Sequence, residues 1–553
     1  MTDAEVVIAG GGPTGLLLAC ELALAGVTPI VLDSLPGPNT EPRANGVGGP
    51  AVRFLDHRGF YELLTGSPDG PQPWAMGMFA GLTFDLTAAP SKQNYMLPVQ
   101  QPRLTETLAQ RATAIGVDVR WGHGLRRFTQ DAKTVTVEVD GPDGPYDIHA
   151  EYLVGADGGR STTRKLAGID FPGMSSNDAV FRIGRGLTPP PEWIDQATGE
   201  LDVPGFGRVP PMQFLRTGTG MFMRGQMDGF SLLGTLELAP TPDNVRTDSD
   251  HPGFGDSLTT AELEGSIGRI LGVHVPVQPL EPDSEPVLRS FAGINSRVAG
   301  QYRHDRVLLV GDAAHVHSPL GGPGLNLCLQ DAANLGWKLA NVIHGHVEPA
   351  LLDTYDAERR LAAENVMTHS RAQMALMRPG PEITALRAIF EELVSQPTAA
   401  ESLAVTMSGV AVRYPTEPDA HPAVGYWIPD ITIDTPAHGE QRIAQLARDG
   451  RPLLLDFTDG SVVANSLHAS GPALNVVTGT PTEPVDLTAV LIRPDGYVAW
   501  ASSEASPTTG TLEKTLAHWF GVALSQSSSQ GSCQPGSPRT RASVPAGPQE
   551  PVA

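Results

Sequence analysis

Apolar residues change their spacing in blocks along this chain, and the blocks alternate between strand and helix length. Residues 5–10, EVVIAG, form a short apolar run leading into glycines. Leu16, Leu17, Cys20 and Leu24 then recur at helical spacing on one face. A second β-branched run, VTPIVL, ends in Asp33. Strand, helix and strand in that order predict a β-α-β unit. AVRFLDHRGFYELL reads as a helix with Val52, Leu55, Phe60 and Leu63 inward. A helix follows over QQPRLTETLAQRATAIG, with Leu104, Leu108 and Ala112 apolar, and VDVRW and KTVTVEVD alternate as strands.

Two later blocks repeat the strand-to-helix pattern. YLVGA ends at Asp157-Gly158, and a helix starts near Ser161. RVLLV ends at Gly311-Asp312, and the loop SPLGGPG feeds a helix with Leu325, Leu329, Ala332, Leu339 and Ile343 near one face. A long helix continues to about residue 398, with breaks at Pro379 and Pro381. Residues 172–290 differ. MFMRGQM and FSLLGTLEL alternate, prolines recur, and DNVRTDSDHPGFGDS is a polar loop. A mostly antiparallel domain inserted into the first one is expected there. RPLLLDF, LNVVTG and LTAVLIRPDGYVAW are strands of a further unit, with a turn at Asp495-Gly496 and a closing helix, EKTLAHWF. The polar tail after Leu524 is expected to be disordered.

The fold class is therefore α/β. A Rossmann-type domain takes residues 1–72, 99–171 and 291–398, a substrate domain takes 73–98 and 172–290, a third unit takes 399–522, and 523–553 is tail. Composition narrows the function. With 38 basic and 61 acidic residues the net charge is −23, which argues against a nucleic-acid surface. Cys20, Cys328 and Cys533 lie too far apart for a disulfide framework or a zinc site, which fits a reducing cytoplasm, and no metal is expected. Acidic Asp3 and Glu5 precede the first apolar run and Glu21 interrupts it, so a signal peptide is not expected, nor is a membrane span.

The candidate chemistry starts at Gly10, Gly12 and Gly15, which form G-x-G-x-x-G together with Thr14 in GGPTG. Gly10 permits a tight turn, Gly12 lets a pyrophosphate approach the backbone, and Gly15 lets helix and strand pack closely. Amides at the helix start face the phosphates, and Asp33, about 20 residues on, accepts from ribose hydroxyls. Arg43 reaches a bound dinucleotide or merely caps a loop. Asp157 sits where doubly wound sheets bind ligands, although D-G after a strand is also an ordinary turn. Asp312 and the loop with Pro319, Gly322 and Gly324 offer a second helix start to an anion. Met78, Met96, Met212, Phe214 and Phe222, with Met221 and Met223, line an apolar pocket or form core. His315 and His317 flank the loop and read as structural.

Together GGGPTG, YLVGADGGRSTTR and VLLVGDAAHVHSPLGGPGLN resemble the motifs of the flavoprotein aromatic hydroxylases, the group A flavin monooxygenases related to p-hydroxybenzoate hydroxylase. The resemblance covers about residues 5–375. It implies an FAD-binding domain, NADPH (or NADH) as co-substrate with no separate domain for it, and a flavin hydroperoxide that transfers one oxygen atom from O2. It places Asp33 on the ribose, Arg43 after the second strand, Gln101 near the flavin or its ribityl chain, Leu125 by the adenine and Asp312 on the ribityl chain or ribose. Amides of Gly324, Leu325 and Asn326 then face the flavin pyrimidine, an oxyanion-type arrangement. Pro323 departs from the pattern and removes one N–H. The last unit resembles the thioredoxin-like domain of members acting on polycyclic aromatic polyketides, without C-x-x-C. The expectation is a cytoplasmic monomer or homodimer that hydroxylates such a polyketide, with no catalytic acid or base identified. Baeyer–Villiger insertion, a non-oxygenating reductase or oxidase, and an FAD-holding protein without turnover stay open. A flavin halogenase is disfavoured, because GYWIP at 425–429 lacks a first Trp.

Overall fold

A computed structural model gives the fold and describes all residues except 1, 42, 89–92, 228–229, 239–255, 282–283, 319–321, 468–473 and 523–553. Pro319, most of the polar loop at 243–257, Cys533 and the C-terminal tail lie outside the described residues.

The strand Ala4–Ala9 sits mid-sheet. It pairs in parallel with Pro29–Asp33 on one side and Gly144–Gly155 on the other, and Asp118–Trp121 and Val307–Leu309 extend the sheet outward, also in parallel. Val6, Val7 and Ile8 are fully buried, as a parallel strand covered on both faces requires. Helix α1 (Pro13–Leu24) was expected to bury one face. Instead every residue from Thr14 to Leu22 is buried, and only Pro13 and the last turn open to solvent. The helix carries leucines all round because other helices enclose it.

The helix expected over 51–64 is two. Gly59, at φ 76°, separates α2 (Pro50–His57) from α3 (Phe60–Thr65). The break rotates α3, so Leu63 is 63% exposed and Leu64, at 4%, takes the inward place. Helix α4 (Gln101–Ala114) buries Leu104, Leu108 and Ala112 as its spacing predicts. Helix α5 (Thr162–Leu166) starts at Ser161, whose hydroxyl accepts from Arg164 N.

The inserted unit is an antiparallel sheet whose long strands are Gly173–Arg185, Gly220–Met227, Phe230–Glu237 and Val287–Val298. Its back is covered by α6 (Thr260–Leu271), a helix absent from the sequence reading although Thr259 and Glu262 close a capping box at its start. The chain enters and leaves this unit side by side. Val298 N donates to Pro172 O at 3.1 Å and Gly300 N to Asp170 O at 2.9 Å.

Helix α7 (Pro323–Ile343) packs against α1 and runs into α8 (Leu351–Met377). The long helix expected to residue 398 ends at Met377. Helices α9 (Pro381–Val394) and α10 (Pro397–Ser408) follow, each with proline in its first turn, where a missing N–H costs no hydrogen bond. In the last unit, Leu453–Asp456 pairs in parallel with Asn475–Thr478 and antiparallel with Ala489–Ile492, which pairs antiparallel with Val498–Ser502. The helix Gly510–Phe520 closes this thioredoxin-like sheet. Among the described residues, no helix is long and apolar enough to cross a membrane.

Candidate active site

Three loops meet at the carboxyl ends of the central strands. Gly10 lies at φ 118°, and a Cβ there would stand 2.3 Å from Ala156 O, so the first loop abuts the Asp157 turn. At Gly311 a Cβ would stand 3.0 Å from Thr14 Oγ1, so the third loop abuts the first helix. Gly15 closes the packing, its Cβ position being 2.0 Å from Gly10 O. Gly12 is the exception, with nothing within 4 Å of its Cβ position. Packing therefore explains Gly10 and Gly15 but not Gly12. An open backbone position at a helix start is a cradle for a phosphate group, and it fits a dinucleotide such as FAD.

The acids divide by what their oxygens already hold. Asp33 accepts from Gly11 N at 2.7 Å and Leu35 N at 2.8 Å, leaving lone pairs for hydroxyls. Asp157 accepts from Thr163 N at 2.9 Å and Thr163 Oγ1 at 3.0 Å, and from Ser161 Oγ, so its carboxylate holds its own turn. Asp312 is exposed and accepts only a long 3.5 Å contact from Cys328 Sγ among the described residues. Burial pushes the Cys328 thiol well above its usual range, with Asp312 and Asp331 adding to it. Arg43 is exposed, 3.5 Å from Glu41. Gln101 opens α4, its N donating to Ala44 O at 2.9 Å, and Leu125 packs beside the sheet's outer core.

Gly322, at φ 64°, turns the chain into α7, and Pro323 occupies the first helical position. Gly324, Leu325 and Asn326 form the first turn. Asn326 does more than offer its amide: its Oδ1 accepts from Gly48 N at 2.7 Å, tying the third loop to the segment after Arg43. His317 faces Gly324, and burial holds its pKa below the ordinary value.

Three features escaped the sequence reading. Arg164 is buried, donates to Ala313 O at 2.7 Å and Gly159 O at 2.9 Å, and stacks on Phe171, locking the second loop to the third. Asp331 is fully buried in α7. It accepts from Gly311 N at 3.0 Å, His315 Nε2 at 2.6 Å and Arg359 Nε at 2.7 Å. Burial acts to raise its pKa, but His315 and Arg359 outweigh this and hold it below the usual value. His315 is thus structural, as expected. Arg185 bridges the inserted sheet to the loop after Asp33 by donating to Asn45 Oδ1 at 2.9 Å. An acid inside an apolar helix was a visible signal for Asp331; nothing in the sequence marked the partners of Arg164 or Arg185.

The pocket candidates separate. Phe222 is fully buried behind the sheet with Leu233 and Leu263, a core position under α6, so its assignment to the pocket is corrected. Met96 and Met212 are 44% and 46% exposed, and Met78 is half-buried. Phe214 is opposite Met223 on the front face, which Ile183, Gly234, Leu232 and Gly225 continue toward Arg185. A Cβ on Gly234 would meet only Met223 Cε, at 3.7 Å, so this row is hollow. A separate groove of about 320 Å³ lies between Trp74, Leu86 and Asn94 on one side and Ala404 and Val405 of α10 on the other. None of the five candidates lines it.

A family profile described as "FAD binding domain" matches residues 3–199 and 269–370, and one described as "Aromatic-ring hydroxylase, C-terminal" matches 421–523. The chain is similar to a 12-dehydrotetracycline 5-monooxygenase/anhydrotetracycline 6-monooxygenase of Streptomyces rimosus, 38% identical over 531 residues, covering 94% of this chain and 99% of that one. It is also similar to a dialkyldecalin synthase of Streptomyces rugosporus, 34% identical with coverage of 95% and 100%. Among solved structures, an anhydrotetracycline hydroxylase from Streptomyces rimosus superposes with a TM-score of 0.78 at 34% identity, over 94% of this chain and 99% of that one.

Proposed function

The chain belongs to the FAD-dependent aromatic-ring hydroxylases, and on that premise we propose that it consumes NADPH to insert one oxygen atom from O2 into a polycyclic aromatic polyketide. The observation that carries the substrate class is the hollow apolar row on the front of the inserted sheet. Ile183, Met223 and Gly234 leave the row open at its centre, Met212 covers Gly225 with its sulfur 3.3 Å from the Cβ position there, and Arg185 and Asn45 join the row to the flavin loops. A fused-ring ligand buries apolar area there without meeting an unpaired charge. The tetracycline-type relative supports the same class.

Bound FAD supplies the redox and oxygen-activating chemistry. The chain does the holding. Gly12 would leave room for the pyrophosphate, and Asp33 and Asp312 would accept from hydroxyls. The first turn of α7 presents N–H groups and the positive helix end, which would stabilise negative charge on the bound flavin. Pro323 gives no N–H, so Gly324, Leu325 and Asn326 carry that role.

A second reading, a flavoprotein that closes or rearranges its substrate without adding oxygen, is favoured by the dialkyldecalin synthase relative. One experiment decides. Purified protein with FAD, NADPH and anthraquinone- or tetracycline-type compounds is incubated under isotopically labelled O2. Label in a product whose rings are intact supports hydroxylation, and label in a ring-expanded or ring-opened product points to Baeyer–Villiger insertion. Substrate-stimulated NADPH oxidation that yields only hydrogen peroxide, or an isomerised product without label, overturns oxygenation.

A further inference from the structure

The role of the C-terminal unit is the open question, because it carries no redox motif. It docks on the outer half of α7. Trp337 of α7 sits 6.0 Å from Trp519 and 5.5 Å from Phe520, centroid to centroid. Arg493 donates to Glu358 Oε1 at 2.7 Å and holds Asp495, and Lys338 Nζ donates to Glu358 Oε2 at 2.7 Å. Asn334 donates to Glu358 Oε2 and Asp495 Oδ2. The segment at Tyr414 belongs to the same body: Tyr414 N donates to Gly425 O, Gly425 N to Val498 O, and the Tyr414 ring stacks on Tyr497 at 3.9 Å.

From that body one line of hydrogen bonds runs inward to the flavin loop. Arg359 Nη1 donates to the Tyr414 hydroxyl at 2.8 Å and Arg359 Nε to Asp331 Oδ1 at 2.7 Å. Asp331 Oδ2 then accepts from Gly311 N, one residue before Asp312. Arg359 and Asp331 are fully buried, so water cannot replace a lost partner. We propose that the C-terminal unit sets the position of the Gly311-Asp312 loop through Tyr414, Arg359 and Asp331, which are positioning residues for FAD. The inference rests on the FAD reading above. Arg359 Nη2 also donates to Leu327 O at 3.1 Å, so without the Tyr414 hydroxyl the guanidinium keeps that anchor and pivots to bring Nη1 to another acceptor. Asp331 follows it, and with Asp331 goes the amide that fixes the loop.

The test uses the full chain with Tyr414→Phe, which keeps ring and stacking. Arg448→Ala is the control, since it removes an exposed contact with Glu62 at 3.0 Å elsewhere on the same interface. FAD affinity, the flavin midpoint potential and amide exchange in residues 310–318 are measured. Tyr414→Phe is expected to weaken FAD binding and to speed that exchange by about tenfold each, and to shift the potential, because a hydrogen bond to a buried charge is lost. Arg448→Ala is expected to change none of them. Asp331→Asn, tested in parallel, should move all three in the same direction even if Tyr414→Phe proves poorly folded. Wild-type exchange and affinity in a folded Tyr414→Phe, or equal losses in Arg448→Ala, overturn the proposal. A wild-type protein that takes up no FAD overturns the flavin reading instead, and exchange at 310–318 still decides the coupling.

Discussion

Helix α7 has two ends built on opposite principles. Its first turn follows an exposed Gly322 and a proline, and among the described residues no side chain caps its N–H groups. Farther along it is closed on every side: Asp331 is held by Arg359 and His315, Lys338 by Glu358, and the Asn334 amide donates to Glu358 and Asp495 while its oxygen stays unpartnered. The open end takes little stability from its polar groups and is free to bind. The closed half depends on every partner being present, since a single deletion leaves an uncompensated charge in a dry interior. One helix thus separates binding from rigidity along its length.

The sharpest way to break this contrast is at the closed half. Glu358→Ala strands Lys338 and Arg493, and stability should fall by about 3–5 kcal/mol, read as a large drop in melting temperature; a drop below about 1 kcal/mol would remove the contrast. Next comes Asp312→Ala at the open end. FAD affinity should fall at least about tenfold for a lost charge-assisted bond, while the melting temperature of the flavin-free protein stays near wild type. Unchanged flavin content after gel filtration counts against Asp312.

Acid should also discriminate between the ends. Burial raises the Glu358 pKa, but Arg493 and Lys338 outweigh it and bring the pKa to about 2 from the ordinary 4.5 of a glutamate. A depressed carboxylate contributes stability that is present above pH 4.5 and is lost as pH falls from there toward 2. Urea midpoints taken across that window should decline in the wild type and more weakly in Glu358→Gln. Equal slopes would show that this carboxylate is not linked. The smallest effect on the fold is expected at Gly12→Ala. A Cβ there meets nothing, so stability should stay within about 0.5 kcal/mol while FAD titration weakens. Intact FAD affinity would show that the pyrophosphate lies elsewhere.

The glycine loops were readable from the chain because glycine spacing and strand-to-helix punctuation are local signals. The spacing of Gly10, Gly12, Gly15 and Asp33, like that of Gly322 and Gly324 before α7, needed no knowledge of their neighbours. Tertiary enclosure carries no such mark. The leucines of α1 suggested one buried face because nothing local announced helices on the other sides, and Gly59 moved the inward position from Leu63 to Leu64 by one αL residue. Phe222 and Met223 are adjacent, and only the strand's alternation, fixed by pairing with Leu215 and Phe214, sends one to the core and one to the cleft. Arg164, Arg359 and Arg493 are legible only as partners, since charge in a sequence defaults to the surface.

Where the inserted unit joins the rest, two strands of chain lie hydrogen-bonded flank to flank, at Asp170–Pro172 and at 298–300. Such a gate makes the insert a cassette. Transplanting residues 172–298 from a tetracycline-type relative should exchange ring preference, and the nucleotide grip should survive where the donor keeps the arginines that meet Asn45 and Glu41.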